Sequence, residues 1–309
     1  MSSNSGSGGA EKKARKAGSD GNAKAEGIIV KHNPWLSRIP CLSPAMTLPN
    51  ADPSLSTITD RIARMWRSDF SWSASFDPVF LSNLMKEGYL PTAHDVDGPI
   101  KYVLLPKLHE ERCLLSFPDL NVNRASRKAS PRFRISVDQR FDEVVERCIQ
   151  QHGESWLHPP IVEGFKELFR MGGAGSVRMH SVECYEGGAL VAGELGYSVG
   201  QCYCSLTGFS SAKSAGTVQL IALGVHLHSR GLKFWDFGMG MEYKHAMGAV
   251  DTERMDFLER LHATRDDTPI DISMQPTDCA PLLKPRHIPG TRVAIGGGGV
   301  RLVVAWKAG

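Results

Sequence analysis

The 309-residue chain contains no apolar run that approaches the roughly 20 residues needed to cross a bilayer. Its N-terminus has no apolar block of the signal-peptide kind either. A soluble protein with no membrane partner is therefore expected, with the cytosol as its compartment. An organellar transit peptide is the alternative, and Glu11, Asp20 and Glu26 weigh against it. The seven cysteines (41, 113, 148, 184, 202, 204 and 279) are odd in number and scattered, which points to reduced thiols and away from a disulfide framework. Cys202 and Cys204 would share one face of a strand, but no second Cys/His pair follows at zinc spacing, so no metal is expected. The chain lacks G-x-S-x-G, H-E-x-x-H and a Cys/His nucleophile context, which removes the familiar hydrolase classes. It also lacks GxxxxGK[ST] and a G-x-G-x-x-G leading into a helix, so Gly296 to Gly299 do not form a nucleotide loop by pattern. A formal charge of +3 is too small to announce a nucleic-acid partner by itself.

What is present divides the chain into four parts. Residues 1–27 are Ser, Gly, Ala and Lys with almost no branched apolar side chain, too little to offset the entropy of ordering, and are expected to be a disordered tail. Residues 28–150 read as an N-terminal subdomain, with a short helix from Pro78 to Met85 ended by Gly88, and strands at Tyr102–Leu105 and Phe133–Val137. A helical stripe over Phe141–Ile149 has Asp138 available as its cap. Residues 151–265 carry a second helical stripe from Pro159 to Met171. Strands follow over Val177–Tyr185, Ala189–Val199 and Gln201–Phe209, joined by Glu186-Gly187-Gly188 and by Gly200. A helix from Ala215 to Ser229, a short buried strand Lys233–Phe237 and a helix Asp256–Leu261 complete that part. Residues 266–309 are rich in Pro and Gly, with a hairpin suggested by Arg292–Ile295 and Val300–Trp306. The fold class expected is α/β (α+β): a mixed sheet with helices laid over it.

Two features carry chemistry. Between Arg124 and Arg134, five basic residues (Arg124, Arg127, Lys128, Arg132 and Arg134) occur without an acid, in a stretch that reads as a loop running into a strand. It is either a phosphate footprint or a solvated loop. Asp236, at the end of the buried Phe234-Trp235 strand, stands where α/β proteins border their ligand clefts. It would orient or deprotonate an attacking amine, or else act only as a cap for backbone donors ahead of Gly238 and Gly240.

The order His180-Ser181-Val182-Glu183, Leu190-Val191-Ala192-Gly193, Gly208-Phe209-Ser210, Phe234-Trp235-Asp236, Met247-Gly248-Ala249 and Asp256-Phe257-Leu258 resembles the leucyl/phenylalanyl-tRNA-protein transferase family. The likeness spans about residues 75–265, with weaker matches at Gly88-Tyr89-Leu90-Pro91, Arg124 to Lys128 and Ser155-Trp156-Leu157. It implies an N-terminal subdomain joined to a domain like the GNAT acyltransferases. It also implies transfer of Leu or Phe from charged tRNA to the α-amine of a protein beginning with Lys or Arg, which marks that protein for degradation. No cofactor is needed for such ester aminolysis, and a monomer is expected.

On that resemblance Asp236 is the catalytic residue. Phe209, Leu220 and Ile221 would wall the aminoacyl pocket, each being ordinary core otherwise. Arg124, Arg127, Lys128 and Arg132 would hold tRNA, and Trp156 would stack on its terminal adenosine or serve as a core aromatic. The chain departs from the family where Gly238 replaces a Gln, Leu206 an acid that helps recognise the basic N-terminal side chain, Thr92 a Trp, Ser211 an Arg, and Gly216-Thr217 a Ser-Lys pair. Glu194 and Glu242 are acids that the family pattern does not require, and either would supply acceptor recognition in place of the lost one. Two other classes remain: a non-catalytic descendant that binds charged tRNA or protein N-termini, and an acyl-CoA transferase, for which Lys213-Ser214-Ala215-Gly216-Thr217 offers a single glycine.

Overall fold

The computed structural model describes residues 21–65, 68–153 and 156–284, and the suggested hairpin at 292–306 lies outside them. Contacts divide the chain into two units, 1–108 with 154–167, and 109–153 with 168–309.

In the first unit a helix over 21–32 (α1) includes residues expected to belong to a disordered tail. It is followed by α2 (Leu55–Met65), α3 (Pro78–Lys86), a hairpin of β1 (Ala93–Asp95) with β2 (Tyr102–Leu104) and, later in the chain, most of α6 (Pro159–Arg170). Ile29, Leu36, Trp72 and Val103 form one buried cluster in it, and Phe80, Leu81, Leu84 and Met85 bury the inner face of α3. Helix α3 begins where the sequence suggested, because Asp77 accepts from Phe80 N at 2.8 Å and Pro78 fills the first turn. It ends at Gly88, whose φ of 91° suits the residue that closes a helix.

The second unit holds an eight-stranded sheet: β3 (Glu111–Ser116), β4 (Phe133–Val137), β5 (Val177–Glu186), β6 (Ala189–Val199), β7 (Cys202–Ser210), β8 (Phe234–Asp236), β9 (Val250–Glu253) and β10 (Met274–Asp278). The spatial order is β10-β4-β5-β6-β7-β8-β3-β9. Every pairing in it is antiparallel except β7 with β8. The β5–β6 turn follows from Gly187 (φ 58°) and Gly188 (φ 86°), since two successive left-handed residues make the two-residue hairpin turn whose twist matches its strands. Helix α7 (Ala215–Arg230) crosses from β7 to β8, and Val218, Ile221, Ala222 and Leu223 pack with Val182, Ala192, Tyr203 and Trp235 in the core. Among the described residues no helix is long and apolar enough to cross a membrane.

The structure differs from the sequence reading in four further places. Strand β4 and helix α5 (Phe141–His152), expected in the N-terminal subdomain, lie in the second unit, where β4 pairs with β5, and β3, which the sequence did not suggest, pairs there with β8. Arg124–Ala129 is a helix (α4), not a loop, with Asn123 capping it by accepting from Ser126 N at 2.8 Å. Asp138 does not cap α5. It sits at φ 64° and accepts from Ser181 N and contacts His180, while Glu183 of β5 accepts from Arg140 N at 3.1 Å at the helix start. The proline-rich segment after residue 266 contributes β10, whose Thr277 and Asp278 align with Ile135 and Arg134 of β4.

Candidate functional site

Strand β8 has three residues and two neighbours. Phe234, Trp235 and Asp236 pair with Cys202, Tyr203 and Cys204 of β7 on one side and with Ser116, Leu115 and Leu114 of β3 on the other. Beyond Asp236 the two parallel strands separate. Phe237 N bonds to Cys113 O (2.9 Å) and Gly238 O accepts from Cys113 N (2.7 Å), so this backbone stays with β3. The β7 residues from Ser205 to Ser210 stay with β6. The parallel pair therefore splits after Cys204 and Asp236, and this split is the candidate cleft, since open α/β sheets bind ligands outside the carboxyl ends of their strands.

Two acids flank this cleft from opposite faces of the sheet. Asp236 is 1% exposed, and Arg112 Nε donates to both of its oxygens at 3.1 Å while Arg112 Nη2 forms a closer ion pair with Oδ2. Gly238 N (2.8 Å) and Cys204 Sγ (3.4 Å) complete its shell. A carboxylate offers about four lone-pair positions, and these contacts occupy them. The Arg112 guanidinium lies 4.7 Å above the ring of Phe257 in α9 (Arg254–His262). Glu194, on the α7 face, accepts from Ser205 Oγ at 2.7 Å and Tyr203 Oη at 3.0 Å, and Trp235 Nε1 donates to the same Ser205 hydroxyl at 2.8 Å. Burial raises the Glu194 carboxyl to about 7 against the opposing pull of Ser205, Tyr203 and Gln219. Among the described residues no ion pair within 4.0 Å involves Glu194.

The loop after Asp236 is stapled by Lys244 of α8 (Glu242–Ala246), whose Nζ donates to Phe237 O (2.8 Å) and Met239 O (2.7 Å). Burial lowers the pKa of this ammonium, with Cys113, Asp236 and Glu194 acting in the other direction. Met239, Met241 and Tyr243 are exposed along this loop and give the cleft an apolar rim. Cys113, His245 and Asp251 bring one donor atom each within 4.8 Å of one another, the one group among the described residues with metal-ligand geometry.

The other sequence candidates are dispersed. Phe209 is buried on the α5 face, with the Arg147 guanidinium 5.3 Å over its ring. Ile221 is in the core under α7 and Leu220 packs at its margin, so the three do not converge on one wall. Arg124 and Lys128 are exposed on α4, whereas Arg127 turns back to Val122 O. Arg132 pairs with Glu186 at 2.7 Å. Arg132 also lines, with Arg134 and Arg140, an open groove of about 580 Å³. Trp156 is half-buried in the first unit, and its carbonyl accepts from Ala93 N. Glu242 is exposed in the first turn of α8. The sequence reading missed Arg112, Ser205 and Lys244. None of the three carried a local signal, and Arg112 in particular follows the polar run His109-Glu110-Glu111.

A mixed sheet whose single parallel pair splits beside a crossover helix defines an acyltransferase-like α/β protein. Its relatives are more specific. The model of the leucyl/phenylalanyl-tRNA protein transferase family matches residues 114–262. The leucyl/phenylalanyl-tRNA–protein transferase of Maricaulis maris is 30% identical over 186 residues, 59% of this chain and 82% of that protein. That of Rhodospirillum rubrum is 30% identical over 192 residues, 60% of this chain and 86% of the relative. That of Hyphomonas neptunium is 30% identical over 196 residues, 62% and 73% respectively. The chain belongs to the leucyl/phenylalanyl-tRNA–protein transferase family.

Proposed function

We propose that this chain is an aminoacyl-tRNA–protein transferase that moves Leu, Phe or a similar aminoacyl group from charged tRNA to the α-amine of a protein, within the N-degron route of protein degradation. The observation that carries this reading is the acid-flanked cleft at the split of β7 and β8, in a chain that shares its family with proteins named for that reaction. The ester of a charged tRNA is already activated. A protein must therefore position the two reactants and handle the proton of the amine, tasks that need neither a redox group nor an external energy source.

The roles divide by exposure and charge. Arg124 and Lys128 present exposed positive charge on α4 for tRNA phosphates. Arg127, Arg132, Arg134 and Arg140 contribute less, because each has an internal partner, Val122 O, Glu186, Asp278 and Glu143 respectively, although the last three arginines line one groove. Trp156 remains a stacking candidate for the terminal adenosine. Asp236, joined to Arg112, fixes the end of β8 and the turn at Gly238, on which the cleft depends. The acids available for a basic acceptor are Glu194 in the cleft wall and Glu242 at its rim. Of the residues suggested for the aminoacyl pocket, Phe209 is separated from Ile221 by the sheet, so the apolar rim of Met239, Met241 and Tyr243 is the better-placed contact.

Incubating the protein with Leu-tRNA or Phe-tRNA and peptides beginning with each amino acid tests the reading. Mass spectrometry is expected to find peptide extended by one aminoacyl residue. Failure to extend any peptide from either charged tRNA would refute it.

A further inference from the structure

Ester aminolysis calls for a proton acceptor whose pKa lies near the working pH and which is not already saturated by a cation. Asp236 does not meet the second condition. Its oxygens are held by Arg112, Gly238 N and Cys204; burial does not separate the two acids, since Glu194 is 4% exposed, but the guanidinium paired with Asp236 does. A proton placed on Asp236 would leave the Arg112 charge buried without its counter-ion.

Glu194 occupies the opposite face of the same split. The last paired positions of the parallel strands are Cys204 and Asp236, and Ser205 is the first β7 residue past them. Ser205 is also the closest hydrogen-bond donor to Glu194, so the carboxyl is tied to the position at which the cleft opens. Trp235, next to Asp236 on β8, closes the chain of bonds through the same hydroxyl. Tyr203 and Ser205 both direct their hydroxyls to Oε1 and so orient the group. The groups facing Glu194 are Tyr203 and Ser205 of β7 and Tyr243 and Lys244 of α8, with the uncharged Gln219 of α7, while Cys148 of α5 acts on it from across the sheet. Lys244 is the single cation among them.

The ladder adds a second observation. Leu206, where the family carries an acid, lies in the bulge between Thr207 and Ser205. Across that ladder Glu194 aligns with Gly208, two residues from Leu206. The chain thus keeps one acid at this end of the cleft but supplies it from β6 in place of β7.

Resting on the transferase reading above, we infer that Glu194, and not Asp236, accepts the proton of the attacking α-amine in this chain, while Asp236 and Arg112 act as a positioning pair. The amine nitrogen forms its bond to the ester carbonyl carbon and gives a proton to the Glu194 carboxylate. Collapse breaks the bond from that carbon to the ribose oxygen, which takes the proton from Glu194 and leaves as a hydroxyl. The carboxylate is regenerated. A carboxyl raised by burial to about 7 is matched to this exchange at neutral pH.

The test measures transfer to peptide across pH 5–9 for the unaltered chain and Glu194→Gln, a near-isosteric change whose folding is checked by circular dichroism. The unaltered chain is expected to gain activity through an inflection near 7. Glu194→Gln should lower kcat about 100-fold or more, flatten that inflection and leave KM for the peptide nearly unchanged. Retention of the inflection, or a loss confined to KM, would overturn the proposal, the second outcome marking Glu194 as a recognition residue. Carboxyl ¹³C titration of glutamate-labelled protein, compared with Glu194→Gln, gives a readout independent of transfer. The Glu194 signal is expected to titrate near neutrality and to shift when a peptide amine is added. An ordinary carboxylate titration, or one indifferent to peptide, would overturn the assignment even if transfer occurs. Absence of transfer with an amine-responsive Glu194 would instead count against the transferase reading alone.

Discussion

Asp236→Asn is the perturbation whose cost the structure sets most clearly. It removes the negative partner of Arg112 while keeping shape, and Arg112 cannot shed its charge because a guanidinium stays protonated at any ordinary pH. Both side chains are almost wholly inaccessible, and Arg112 Nη1 already has no hydrogen-bond partner. Breaking a buried pair from one side typically costs about 3–5 kcal/mol. The exposed Arg132–Glu186 pair offers a control at similar separation, with side-chain exposures of 46% and 34%. Glu186→Gln should cost no more than about 1 kcal/mol, since water screens and replaces that contact. Urea unfolding followed by far-ultraviolet circular dichroism would compare the two variants. The double variant Arg112→Met/Asp236→Leu should recover most of the loss, because removing both charges removes the unpaired guanidinium as well. Equal midpoints for Asp236→Asn and Glu186→Gln would refute the ion pair as the anchor of β8.

Three further outcomes follow from the same geometry. The Glu194 carboxyl has a folded pKa of about 7 against an ordinary value of 4.5, so the folded state binds its proton more tightly. That contribution to stability is fully present below about 4.5 and lost as pH rises through 7, on the order of 3 kcal/mol, and Glu194→Gln should unfold with a flatter pH dependence and be the more stable protein at pH 8. Arg124→Gln and Lys128→Gln should each weaken charged-tRNA binding and reduce the slope of log affinity against log salt by about 0.7–0.9, as measured by filter binding, whereas Arg127→Gln should change the slope little. Gly238→Gln should destabilise by about 1–2 kcal/mol in thermal unfolding and fail to raise transfer, because Gly238 has φ 72° and a side chain there meets the left-handed penalty.

The legible parts of the fold were those written in local pattern. Gly187-Gly188 and Gly200 bracket strands whose alternation is plain, and α7 shows its apolar stripe through Val218, Ile221 and Ala222 before stopping at Gly231. Strand β3 was not legible because Glu111-Arg112-Cys113 interrupts alternation, and Arg112 points inward for a partner 124 residues away. Strand β10 was hidden by Pro276 and by exposed polar residues, which an edge strand tolerates. Helix α4 has too few apolar residues for a stripe, and Asn123 as a cap was its one local signal. At the site, Asp236 and Glu194 could both be named from sequence. Their opposite electrostatic situations depend on Arg112 and Ser205, which no spacing rule connects to them.

Those situations bear on how a transferase site tolerates the replacement of a working residue. Gly238 does more than lack the family's glutamine side chain. Its backbone turns into the left-handed region, its N–H is spent on Asp236, and its carbonyl accepts from Cys113 N. The same turn sets Phe237 and Met239 so that Lys244 can bridge their carbonyls. The polar work at the end of β8 is therefore done by backbone bonds, an arginine and a lysine, which hold shape and leave Asp236 fully engaged. The proposed base lies on the other face, where Glu194 accepts from Ser205 at the split of β7 and β8 and Leu206 sits in the adjoining bulge. Reintroducing an acid at Leu206 in a Glu194→Gln background is the separating case. If position within the cleft is what counts, that double variant should regain transfer, while Leu206→Glu alone would crowd two carboxyls against a shared bulge and raise the pKa of one of them.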